Sequence, residues 1–245
     1  MVARFFLCAL IYAILAPTLG AKLSMGRILG GSVTADGTHP YAVALRLYHT
    51  FYCTGTIINK DCVLTTANCV ASVSYKNVEI LAGTNNYNSG GVSYRAEDGI
   101  PHDLYDPNTR SANVGLLKIK GDIKFDTKTK PIALAVKDPG ADLAVTFVVW
   151  VKSDNLADVP ASNRLRSVSL QTMSTYNCIA TLAGDHKIED KFCTTNKGLC
   201  GEGGPLIFNK TLAGISSPIG GCISGKPEIF QSLSNFIDWI NGHAC

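Results

Sequence analysis

Beyond its first residues this chain carries no excess of charge of either sign. Arg4, Lys22 and Arg27 stand within residues 1–27 with no acidic neighbour there, which leaves 19 of the 22 basic residues against 19 acidic ones from Ile28 onward. The formal charge of +3 therefore belongs to the leading segment, and the total points to neither nucleic acid nor an anionic membrane as a partner. Metal-ligand patterns are missing too. There is no Cys-x-x-Cys pair and no histidine cluster, which argues against a zinc site and leaves no cofactor to assign. Apolar runs are short: the uncharged stretch from Phe5 to Ala16 has 12 residues, too few to span a bilayer comfortably. Helical periodicity is scarce, and no internal repeat or low-complexity linker occurs.

What is present reads as a secreted β protein. Arg4, the apolar run and the small residues around Gly20 form a secretory signal peptide over 1–20, followed by a short propeptide over 21–27. Cys8 falls in the signal, so eight of the nine cysteines remain, an even number that reads as four disulfides in an extracellular protein. With 46% hydrophobic and 17% charged residues, the chain can bury a core as one compact domain of two lobes. Short runs rich in Val, Ile, Thr and Tyr alternate with Gly, Asn, Asp and Pro clusters, the pattern of an all-β barrel or sandwich. Asp138-Pro139-Gly140 is a turn suited to the crossing between lobes, and Ser174 is placed to cap a short helix through Cys178. Ser234 to Ile240 has apolar residues at helical spacing. Asn209-Lys210-Thr211 is an N-glycosylation acceptor at an expected hairpin turn.

The chemistry gathers on Leu199-Cys200-Gly201-Glu202-Gly203-Gly204-Pro205-Leu206, a glycine-rich turn running into an apolar strand. Such a turn holds one side chain at a sharp, exposed position, and here that side chain is Glu202. Three other segments stand at matching distances: Arg27 before Ile28-Leu29-Gly30-Gly31, Cys53 with Thr65-Thr66-Ala67-Asn68-Cys69, and Ser111-Ala112-Asn113-Val114 before an alternating strand. With Phe147-Val148-Val149-Trp150-Val151 and the C-terminal helix, these resemble the trypsin and chymotrypsin family over Ile28 to Cys245.

The resemblance implies two packed six-stranded antiparallel β-barrels with a short C-terminal helix, the first lobe over about 28–137 and the second over about 138–245. It puts Arg27 and Ile28 at an activation junction, and pairs Cys53 with Cys69, Cys178 with Cys193 and Cys200 with Cys222. Cys62 and Cys245 are left over; the family has a tryptophan packed on the C-terminal helix at the place of Cys62, so these two are expected to bond. Asn68, Asn113 and Glu202 stand where the base, its orienting carboxylate and the nucleophile belong. Asn68 cannot serve as the base, Asn113 then has no imidazole to orient, and Glu202 would set a negative charge beside the place where an oxyanion must develop, which raises the barrier. The turn is shortened by two residues against active relatives, and Gly201 replaces the aspartate that would pair with a freed amino terminus. Pro218 and Ile219 stand on the strand that would bind substrate backbone, and Glu228 stands where a small residue keeps the primary pocket hollow. Resemblance to mite trypsin-like allergens, and to the inactivated mite serine protease paralogues among them, implies a monomeric binder of extracellular host proteins that inhibits complement. The alternative is a hydrolase of altered chemistry using Glu202.

Overall fold

A computed structural model describes residues 31–151, 162–182, 188–195, 199–218 and 226–245. The signal and propeptide, Arg27, Ile28, His186, Ile219 and Cys222 lie outside the described residues. A two-residue strand, β1 (Ser32–Val33), comes first. Then β2 (Ala42–Leu47), β3 (Thr50–Ile57), β4 (Cys62–Thr65), β5 (Val78–Ala82), β6 (Val92–Pro101) and β7 (Gly115–Ile119) close a barrel in the order β2-β3-β4-β7-β6-β5. Its β2–β3 hairpin turns on Tyr48 and His49, both at positive φ (50° and 67°), the mirror-image turn whose twist matches that of its strands.

The second lobe is built from β8 (Ala144–Val149), β9 (Arg166–Gln171), β10 (Lys191–Thr194), β11 (Pro205–Phe208), β12 (Thr211–Ser216) and β13 (Glu228–Ser232). These six strands and β1 form one antiparallel sheet of seven, in the order β1-β9-β8-β11-β12-β13-β10. So β1 leaves the first lobe and lengthens the second sheet, where six strands were expected. The sheet curls until β10 meets the tail of β9: Thr172 bridges Thr194, Met173 N–H donates to Cys193 O (2.9 Å) and Thr195 N–H to Gln171 O (2.8 Å). Its closing seam is thus one bridge wide rather than a full ladder. Asn209 and Lys210 form the β11–β12 turn, again with positive φ (48° and 64°), and both are exposed.

Each lobe has its own core, Val43, Leu45, Ile57, Ile80 and Leu117 in the first and Val145, Phe147, Leu206 and Phe230 in the second. Two shared layers weld them. Cys62, Leu64, Val114 and Leu116 pack against Leu212, Ile215, Leu233, Phe236 and Ile240, while Ala42, Ala44 and Phe51 meet Val148, Trp150 and Leu165. Trp150 is fully buried and donates its indole N–H to Asn85 O at 2.8 Å, so truncating it would cost about 3–5 kcal/mol.

Among the described residues, three α-helices complete the fold: α1 (Ala67–Ala71), α2 (Thr175–Leu182) and α3 (Ile237–His243). Ser174 does cap α2, its Oγ accepting from Asn177 N–H at 3.2 Å. Helix α3 is fixed by Ile240 in the interlobe core, by His102 packed on Phe236 and Trp239, and by a disulfide from Cys245 to Cys62 across 183 residues. Cys53–Cys69 and Cys178–Cys193 are also bonded, and Cys200 is disulfide-bonded as well. Among the described residues no helix is long and apolar enough to cross a membrane.

Candidate functional site

Three connections converge on the seam between the lobes. The first is the start of α1, where extended backbone at Thr66 turns the chain in from β4. The second is the loop from His102 to Val114 that follows β6. The third is the glycine turn of 201–204. At Gly203 φ is +76°, and a Cβ would lie 2.2 Å from Thr54 O and 2.6 Å from Thr65 Oγ1, so only glycine fits. The turn is held from behind: Thr54 N–H donates to Glu202 O (3.0 Å), Gly203 N–H to Ser216 O (2.9 Å), Gly204 N–H to Ser216 Oγ (2.9 Å), and Ser216 Oγ in turn to Gly201 O (2.6 Å).

These connections bring Asn68, Asn113 and Glu202 together. Asn113, fully buried, accepts from Asn68 N–H on its Oδ1 (2.9 Å), and its Nδ2 donates to Ser217 Oγ (2.8 Å) and Glu202 Oε1 (3.3 Å). Its own N–H donates to Gln231 Oε1 at 3.0 Å. A residue with no catalytic task in the sequence is therefore a structural hub. Asn68 Oδ1 accepts from the Tyr105 hydroxyl at 3.3 Å, and burial raises the Tyr105 pKa.

The Glu202 carboxylate has more partners than the sequence suggested. Thr66 Oγ1 donates to Oε1 at 2.8 Å, and Arg110 Nη1 donates to Oε1 at 2.9 Å and to Oε2 at 2.8 Å. With Arg110 25% and Glu202 14% exposed, this ion pair, one Nη1 shared between both carboxylate oxygens, stabilises by about 1.5–3 kcal/mol. Sequence reasoning missed Arg110. One signal was available: a carboxylate set in a partly closed turn needs a cation, and Arg110 lies three residues before Asn113, immediately ahead of the Ser111–Val114 segment assigned to the same place.

A second polar group supports this set from below. Asp190 Oδ2 accepts from Ala112 N–H (2.7 Å) and from Gln231 Nε2 (3.1 Å), and Oδ1 pairs with the buried Lys191 Nζ (2.5 Å). Burial pushes the Asp190 pKa up, but hydrogen bonds from Lys191 and Ala112 outweigh it and hold the carboxyl below its usual value.

Chemically the arrangement is poor in what hydrolysis needs. The described histidines bond elsewhere, His39 to Tyr41, His49 to Glu79, His102 to Leu104 N–H and His243 to Trp239 O. No imidazole joins the set among the described residues, and an amide does not take a proton near neutral pH. Both Glu202 oxygens accept hydrogen bonds, so the carboxylate is engaged by Thr66 and Arg110 rather than free to act as a nucleophile.

The other candidate residues among the described ones are placed as follows. A Cβ at Gly201 would fall 2.5 Å from Val149 Cγ2 and 2.8 Å from Trp150 O, so the place expected of an aspartate has no room for a side chain. Pro218 follows Ser217, whose N–H donates to Ile229 O at 3.0 Å. Glu228 lies on β13 opposite Thr194 and is 4% exposed; burial pushes its pKa up to about 8, so the group is neutral at pH 7. Among the described residues no group of three or more His, Cys, Asp or Glu could hold a metal ion.

Known proteins share this architecture. The Trypsin family model matches residues 28–240. Trypsin beta of Drosophila erecta is 27% identical over 227 residues, 89% of each chain. Trypsin Blo t 3 of Blomia tropicalis is 30% identical over 233 residues, covering 89% of this chain and 86% of its own. The crystal structure of the scabies mite inactivated protease paralogue S-D1 superposes with a TM-score of 0.77 at 25% identity, over 87% of this chain and 96% of that one. From barrel order to glycine turn, the chain belongs to the trypsin family of serine protease domains.

Proposed function

We propose that this chain is a secreted, non-catalytic trypsin homologue that works by binding extracellular proteins of a host, complement components among them. One observation carries the non-catalytic part: the carboxylate of Glu202, at the position of a nucleophile, is held by Arg110, Thr66 and Asn113, with Asn68 beside it in place of a base. The likeness to an inactivated mite protease paralogue supports the same reading, although the curated relatives are named trypsins. Disulfides and the family's usual extracellular setting support secretion. A lost site on a preserved scaffold leaves the surface to carry function, and binding is what a rigid β scaffold with exposed loops offers. Hydrolysis by Glu202 is the less favoured alternative, because the ion pair must break before the carboxylate can attack anything.

The test is capture from host plasma on the immobilised chain, with an active trypsin blocked at its serine as the control surface, followed by a complement lysis assay. The reading predicts selective capture of plasma proteins and dose-dependent loss of lysis. Equal capture on both surfaces, with lysis unchanged, would refute it.

A further inference from the structure

Arg110 is the only lysine or arginine between His102 and Asn113, and it sits in an unusual backbone state. Its φ is 55° and that of Ala112 is 48°, a left-handed region that non-glycine residues hold only when their surroundings enforce it. The enforcement comes from two sides. Within the loop, Asp106 ties the chain into a knot: its O accepts from Arg110 N–H (2.8 Å), its Oδ1 from Asn108 N–H (2.9 Å) and its Oδ2 from Thr109 Oγ1 (2.9 Å). From the other lobe, Glu202 takes the guanidinium on both carboxylate oxygens, and Asp190 takes Ala112 N–H. Arg110 is thereby turned inward to 25% exposure, while Leu104, six residues earlier in the same loop, is 76% exposed.

A trypsin-like protease needs the opposite presentation: an extended backbone and a basic side chain projecting into the enzyme's pocket. We propose that the Arg110–Glu202 pair is a strap across the interlobe seam that holds the 102–113 loop onto the 201–204 turn and so shields the Arg110–Ser111 bond from trypsin-like proteases. The carboxylate that replaces a nucleophile then protects this chain against enzymes of its own fold. This goes beyond the binding function and stands or falls apart from it, since it concerns cleavage of the chain and not cleavage by it.

The experiment is limited digestion of the full chain with added trypsin, following the Arg110–Ser111 cut by mass spectrometry in wild type and Glu202→Gln. Digestion with a chymotrypsin-type protease at Tyr176, which is 80% exposed and on the far lobe, serves as the control site. When opening is fast relative to cutting, cleavage follows the population of the open loop. The strap predicts at least a tenfold faster cut after Arg110 in Glu202→Gln, with the Tyr176 cut unchanged. Equal rates at Arg110, or a parallel acceleration at both sites, overturns it. Should Glu202→Gln fail to fold, hydrogen exchange on Arg110→Ala decides: amides of 201–204, in the other lobe, should exchange about tenfold faster, and unchanged exchange there overturns the proposal.

Discussion

Replacing Glu228 by glutamine should stabilise this protein, and by an amount that depends on pH. The side chain lies on β13 within the second sheet, 4% exposed, and its pKa is raised from an ordinary 4.5 to about 8 by burial. In the folded chain the carboxyl keeps its proton up to about pH 8, whereas in the unfolded chain it loses it near 4.5. The unfolded state therefore binds fewer protons through this window. The stability that a neutral Glu228 allows is fully present below pH 4.5 and drains away as pH rises toward 8. A separation of 3.5 pKa units at about 1.4 kcal/mol each sets a ceiling of about 5 kcal/mol, of which about half has gone by pH 6.5. Glutamine has the shape of the protonated acid and does not titrate. Denaturant unfolding with disulfides intact, at pH 5, 6.5 and 8, should find Glu228→Gln close to wild type at pH 5 and more stable by several kcal/mol at pH 8. Comparing the two proteins cancels every other titrating group. A difference that stays constant from pH 5 to pH 8 would refute the reasoning.

Four other outcomes are expected. Gly201→Ala should cost about 1–3 kcal/mol, because its Cβ meets Val149 Cγ2 at 2.5 Å, and Val149→Ala should recover part of that loss; additive effects in a thermal melt would show that the two do not touch. Restoring Asn68→His, Asn113→Asp and Glu202→Ser together should not yield cleavage of an arginyl peptide, since Gly201 still has no space for a side chain and the neutral Glu228 is still in place. Replacing Cys62 and Cys245 by serine should remove roughly 5 kcal/mol, from the loop-entropy model for a closure of 183 residues, and non-reducing peptide mapping of wild type should recover neither cysteine as a free thiol. Asn209 should carry a glycan on protein secreted from eukaryotic cells, read as a mass shift with a glycosidase, because it is exposed at a two-residue turn within its acceptor pattern.

Much of this architecture is legible in the sequence, for reasons that differ by element. Short β-rich runs and turn residues give the all-β class, and the Asn209-Lys210 hairpin follows from its turn chemistry alone. The meeting of Asn68, Asn113 and Glu202 is legible only through likeness to the family, as is that of Cys62 and Cys245. Local pattern has no way to bring together residues separated by 183 positions. What stayed hidden depends on side chains crossing the seam. Arg110 finds Glu202 92 positions away, and Asp190 finds Ala112 78 positions away. Neither pairing leaves a periodic trace. The passage of β1 onto the second sheet was equally invisible, since Ser32–Val33 is too short to carry a pattern and is placed by its ladder to Arg166 and Ser167.

The claim that most needs testing is that the Glu202 site performs no hydrolysis. Purified chain beginning at Ile28 should be incubated with a broad library of peptide, ester and glycoside substrates, alongside Glu202→Gln as its matched control. The ion pair with Arg110, and the absence among the described residues of an imidazole beside Asn68 and Asn113, predict identical background rates for both proteins. Turnover by the wild type that vanishes in Glu202→Gln would contradict the account.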